Sequence, residues 1–211
     1  MKNLILFIFS LSLCSCSSAY YSALEKFGYE KRDLLKSRVI AAKEEQLEAK
    51  EQFQSSLEKL SSLINFNGGS LEDKYLETKA DYEDSEAKAN DVSKRIDSIE
   101  SVAEDLFEEW EDEIQQYSNS RLRTNSQQKL RQTKSRYNPL ITSMRKAESK
   151  MEPVLSALRD QMLYLKHNLN AQAVSSIKNE FGLIQADINS LIREMNVSIA
   201  EADKFVSSFS S

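Results

Sequence analysis

Four glycines and two prolines are spread over 211 residues. A β-sandwich or barrel needs a turn about every 8–12 residues. So few turn formers exclude those folds and argue against βαβ repeats. The single histidine excludes any multi-histidine metal site and leaves one imidazole for a nucleophilic triad. No glycine-rich phosphate loop ending in Lys-Ser/Thr is present. What the chain has in quantity is charge, with 28 Lys plus Arg against 33 Asp plus Glu, so it is acidic overall and a poor candidate for nucleic acid. Its apolar share of 40% is nevertheless too high for plain disorder.

Lys2 is the only charged residue before Glu25. Leu4 to Leu13 is an apolar run interrupted by Ser10 and Ser12, the short hydrophobic region of a secretory signal and too short for a stable spanning helix. It ends in Leu13-Cys14-Ser15-Cys16. This ending resembles the lipoprotein box of bacteria, with small Ser15 before Cys16 and bulky Leu13 before Cys14. The resemblance implies a signal peptide over residues 1–15 and acylation of Cys16 on its thiol and amine, a firm anchor because several chains exceed the single-chain threshold. Loss of Cys14 with acylation of Cys16 would leave no disulfide. Ser17 rather than Asp after the cysteine points, by the sorting rule, to the periplasmic face of the outer membrane. An ordinary secreted chain cut elsewhere is the alternative.

Beyond the anchor, apolar residues recur at alternating steps of three and four, the seam of a coiled coil. The first seam runs from Leu35 through Val39, Ala42, Gln46, Ala49, Phe53, Ser56 and Leu60 to Leu63, and Asn65 to Gly69 break it. Ser70 with Asp73 approximates a capping box. The second runs from Tyr75 through Tyr82, Ser85, Val92, Ile96 and Leu106 to Trp110, Glu113 and Tyr117. The third runs from Leu130 through Tyr137, Leu140, Met144, Val154, Leu158 and Met162 to Leu165 and Leu169, with a stutter after Val154. The fourth runs from Val174 through Ile177, Phe181, Ile184 and Leu191 to Phe205 and Phe209.

These stretches predict helices over 18–65, 70–117, 122–168 and 171–208. Their matched lengths predict an all-α fold: an elongated, antiparallel up-down-up-down four-helix bundle or coiled coil, with residues 16–211 as one unit. Pro139 and Pro153 lie within the third stretch. The seam keeps its phase across Pro139, so a kinked continuous helix is expected, with a helix start at Asn138-Pro139 as the alternative. The seam is narrow, and flanking Leu57, Leu76, Phe107, Leu155 and Ile192 are expected to pack as well. A homodimer is compatible with this pattern but not required by it.

Several runs together are similar to an uncharacterised family of bacterial lipoproteins. These are Cys16 to Asp33, Asn65-Phe-Asn-Gly-Gly69, Leu106-Phe-Glu-Glu-Trp110, Gln116-Tyr-Ser-Asn119, and Lys150-Met-Glu-Pro-Val-Leu onward through Leu165 to Ala173. The resemblance spans the expected mature chain. It implies a coiled-coil envelope lipoprotein of Gram-negative bacteria, built on a domain of unknown function, and it implies no activity.

No catalytic constellation is found, and no cofactor or metal is expected. His167 follows Tyr164 by three residues, so even one Glu-x-x-His metal pair is missing. It is expected to bond or cap near a helix end. Two charge blocks carry more. Glu104 to Glu113 holds seven acids and no base, and Arg121 to Arg136 holds six bases and no acid. In a hairpin Glu104 would lie near Ser135, Glu108 near Arg131 and Glu111 near Gln128, so cross-hairpin ion pairing is one expectation. The other uses topology. If helix one leaves the bilayer and helix two returns, then Arg121, Arg123, Lys129, Arg131, Lys134 and Arg136 meet phosphates of lipid headgroups, with Tyr20 and Tyr21 at the interface. Three functions follow. The first is a non-catalytic tethered scaffold or protein-interaction module, with an envelope protein as partner. The second is an anionic-lipid-binding membrane organiser, and the third an activator of a cell-wall hydrolase.

Overall fold

The computed structural model describes residues 31–66 and 68–209. The expected signal peptide 1–15, Cys16, Tyr20, Tyr21 and the first part of the 18–65 helix lie outside them. Five helices follow in order: α1 (Lys31–Ile64), α2 (Leu71–Gln116), α3 (Ser120–Ser149), α4 (Met151–His167) and α5 (Ala171–Ser207). The described residues contain no strand. None of their helices is long and apolar enough to cross a membrane.

Short polar side chains start α2, α3 and α5, because the first N–H groups of a helix have no internal acceptor. Ser70 Oγ accepts from the Asp73 N–H at 3.2 Å. Asn119 Oδ1 accepts from the Arg121 and Leu122 N–H groups at 3.0 and 3.2 Å. Asn170 Oδ1 accepts from the Ala173 N–H at 3.0 Å. The α1–α2 turn passes through Gly68 and Gly69 at φ 136° and 119°, where a Cβ is strained.

The third expected helix is two. Pro153 sits in the first turn of α4, and its ring would collide with the carbonyl four residues back, that of Ser149. The backbone therefore breaks at Lys150, which has no side-chain cap bond and φ −86°, ψ −13°. Pro139 breaks nothing, and α3 continues through it. Pro139 and Ser135 are both exposed, so water can satisfy the carbonyl that the proline leaves unpaired.

The helices pack together with α1 against α2 and α5, and with α3 and α4 in line between α2 and α5. Side-chain pairs run in opposite order along neighbours. Lys31 meets Glu109 and Lys59 meets Asp81 across α1 and α2. Lys43 meets Asp203 and Lys50 meets Asn196 across α1 and α5. Trp110 donates to Ser126 and Arg145 to Asp97 across α2 and α3. In these three pairs the two helices run in opposite directions. At about 1.5 Å per residue the 46 residues of α2 span roughly 70 Å.

One apolar core follows the seams. All nine positions of the first seam are buried, polar Gln46 and Ser56 included. The departures lie at the ends. Ile114 is buried where the seam predicted Glu113, and Tyr117 is exposed. Gln161 replaces Met162 in the buried row, which restores the three-four alternation and removes the stutter, and Ala173 replaces Val174. Leu76 and Leu169 were expected inside but are 54% and 46% exposed.

The two ends of the core differ in content. Near the start of α1, Phe107, Tyr137, Phe205 and Phe209 form an edge-to-face ladder with centroid spacings of 5.4, 6.4 and 5.0 Å. Toward the α1–α2 turn, Ser56 and Ser85 share a hydrogen bond of 3.0 Å in the core. Gln52 donates to Ser85 and to Asp81, and Lys59 closes the cluster on Asp81 at 2.7 Å.

Candidate functional site

The start of α1, the α2–α3 turn and the end of α5 meet at one end. Lys31 pairs with Glu109 at 2.6 Å, and the Arg32 guanidinium lies 5.4 Å from the Phe209 ring centre. All six bases of the predicted cluster lie on α3 at or near this end. Arg121, Arg123, Lys129, Arg131 and Arg136 are exposed and Lys134 is half-buried. Lys134 pairs with Glu111 and stands 5.2 Å from the Phe107 ring centre. Arg123 donates to the Tyr117 carbonyl at 2.6 Å, closing the turn. Arg121, Lys129, Arg131 and Arg136 make no ion pair with any described residue.

The expected pairing of the two charge blocks is therefore corrected. Lys134–Glu111 is the one ion pair between them among the described residues, and Glu111 reaches Lys134 rather than the Gln128 region. Glu104 and Glu108 have no ion partner there, and Glu109 turns to Lys31. The offset has a simple cause. Side chains lean toward the N-terminus of their own helix. In this hairpin Glu111 leans away from the turn and Lys134 toward it, so the pair forms with Lys134 further out than a mirror register predicts. Arg145 repeats the offset with Asp97 and Glu100. Its hydrogen bonds, chiefly with Glu100, hold it more firmly protonated than an ordinary arginine.

A groove of about 580 Å³ opens at this end. Arg32, Lys129, Trp110, Tyr117 and Leu122 are among its lining, with Ser126 below Trp110 and no acid. Sequence reasoning missed Arg32 and Trp110 as parts of one surface. No local signal joins residues on separate helices, and Trp110 reads as a core position.

His167 ends α4, is exposed, and forms no side-chain bond among the described residues. The α4 end is closed instead by Asn168, whose amide donates to the Tyr164 carbonyl at 3.0 Å. No group of three or more His, Cys, Asp or Glu among the described residues is placed to hold a metal ion.

Packing and surface together define an all-helical domain with a narrow apolar interior and segregated surface charge. The profile of a family described as a protein of unknown function (DUF2959) matches residues 20–209, and the chain belongs to that family. No curated protein matches it, and no solved structure does.

Proposed function

We propose that the chain is a lipid-anchored, non-catalytic scaffold of the bacterial envelope. In this reading it is an up-down-up-down four-helix bundle tethered through acylated Cys16 to the periplasmic face of the outer membrane, and it presents its long helix faces to an envelope protein. The observation that carries the reading is the core. Buried apolar side chains from Leu35 to Phe205 run through every helix, so the recognition surfaces lie outside. The lipoprotein box at Leu13 to Cys16 supplies the tether. The test is metabolic labelling with palmitate followed by membrane fractionation. Wild type is expected to carry label and sediment with outer membrane, and Cys16→Ser to lose both. Label retained on the variant sinks the anchor.

A second reading, anionic-lipid contact, rests on the four bases without an ion partner among the described residues and on the groove that Arg32 and Lys129 share with Trp110. If the anchor lies beside α1, this groove faces the headgroups, where cations meet phosphate and an indole suits the interface. Co-sedimentation with phosphatidylglycerol vesicles against phosphatidylcholine vesicles measures it. Replacing the six bases of α3 by Gln is expected to abolish the preference, and a preference that survives defeats the reading.

A further inference from the structure

The end away from α1's first turn carries a second groove, between α4 and α5, with a volume of about 560 Å³. Ala157, Ile177 and Ile184 form its floor. Leu183 stands over it 67% exposed, the most exposed of the large apolar side chains in the described residues. Tyr164, 40% exposed, reaches across to Ser176 at 3.4 Å. Asp160, Glu180 and Asp187 border the groove, no base lines it, and none of the three acids has an ion partner among the described residues.

We infer that this groove docks a basic amphipathic helix of a partner protein, whose apolar stripe covers Leu183 and Tyr164 while its lysines or arginines meet Asp160, Glu180 and Asp187. Three physical points select that occupant. The lining on α5 runs from Ser176 to Asp187, roughly 17 Å or three helical turns, which matches one short helix face. A trough between two helices accepts the ridge of a third, whereas a peptide that binds by strand addition needs a strand edge, and the described residues have none. The charge is of one sign, so it selects a cationic partner and repels an anionic one. The same charge disfavours a second copy: a two-fold contact through this groove would set the three acids against their own images. The inference supplies the kind of partner for the scaffold reading but does not need the lipid anchor.

The test uses the purified chain and a 14-residue synthetic peptide of Lys and Leu in helical repeat, with a Glu and Leu peptide as its counterpart. Fluorescence anisotropy is expected to show binding of the basic peptide only, weakening as salt rises. Leu183→Asp is expected to weaken it about tenfold or more. Because Leu183 is exposed, an unchanged circular dichroism melt shows that the variant still folds. The triple variant Asp160→Lys, Glu180→Lys, Asp187→Lys is expected to exchange the preference, taking the acidic peptide. Glu108→Lys with Glu111→Lys, in the acid block at the other end, is expected to leave binding unchanged. The inference is overturned if the triple variant binds the basic peptide as well as wild type does, or if the acid-block variant alone loses it. It is equally overturned if sedimentation equilibrium shows a dimer that Leu183→Asp dissociates, since a second copy is then the occupant. Failure of the Cys16 labelling experiment would leave this result untouched, so the two readings fail separately.

Discussion

The two ends of this molecule are built on the same three-four seam and filled differently. Near the start of α1 the core is an aromatic ladder from Phe107 to Phe209, and above it a basic face of α3 stands beside the acid block of α2. Near the α1–α2 turn the core holds Ser56, Ser85 and Asp81, and the neighbouring surface of α4 and α5 is acidic with exposed Leu183. Rings bury large areas and lock together, while hydroxyls gain about 1 kcal/mol per hydrogen bond and must be fully partnered. The ends thus differ in what holds them and in what they attract. The basic face of α3 carries the lipid proposal, and the acidic groove between α4 and α5 carries the proposal of a cationic partner helix.

The largest expected effect is at the ladder. Phe205 is 2% exposed and touches two other rings, so Phe205→Ala is expected to cost about 3–5 kcal/mol in chemical denaturation. Leu183→Ala at the other end is expected to change stability by no more than about 0.5 kcal/mol. Equal losses would erase the contrast. Asp81→Ala comes next. It removes the acceptor of Gln52 and Lys59 beside a buried serine pair, with an expected cost of about 1–3 kcal/mol. A cost as large as that of Phe205→Ala would show that the polar layer holds its end as firmly as the rings hold theirs.

A pH effect of Tyr137 is expected at the aromatic end. Burial, reinforced by the Glu100 charge, pushes the Tyr137 phenol from 10.0 up to about 12. The fold therefore favours the neutral ring. Its contribution is intact below pH 10, and it is lost as pH rises from 10 toward 12. Denaturation midpoints followed across that window are expected to fall less in Tyr137→Phe than in wild type. Parallel curves would show that the ring is not the group responsible. A further small effect has the opposite sign. A Cβ on Gly182, inside α5, meets nothing within 4 Å, so Gly182→Ala is expected to stabilise by up to about 1 kcal/mol through helix propensity. A loss of stability there would mean that this side of α5 is packed more closely than the structure has it.

Much of the helical framework was legible in the residues. Ser70 was legible as a helix start because its side chain accepts a free N–H of the first turn, whereas Asn119 and Asn170 emerge as caps only in the structure. The first seam named every buried position of its row, even Gln46, which accepts from Ser198 at 2.8 Å. Errors collected where the pattern weakens. Glu113, Met162 and Val174 each lost their place to a neighbour, because one residue turns a helix by about 100° and the ends have no long periodicity to fix the phase. The break at Lys150 was missed although Pro153 signals it, since the seam continues in phase and hides a local fault.

Of the candidate surfaces, the basic block was plain to read, and the absence of ion partners for Arg121, Lys129, Arg131 and Arg136 among the described residues was not. Periodicity and composition by themselves determined that the chain is helical and which residues of the long seams mostly face inward, because these depend on neighbours a few positions apart. Only the folded arrangement decided which carboxylate meets which base, that Arg32 and Lys129 share one groove, and that Asp160 and Glu180 flank another. Those facts depend on the axial offset and lean of side chains from separate helices, distances that no single helix encodes.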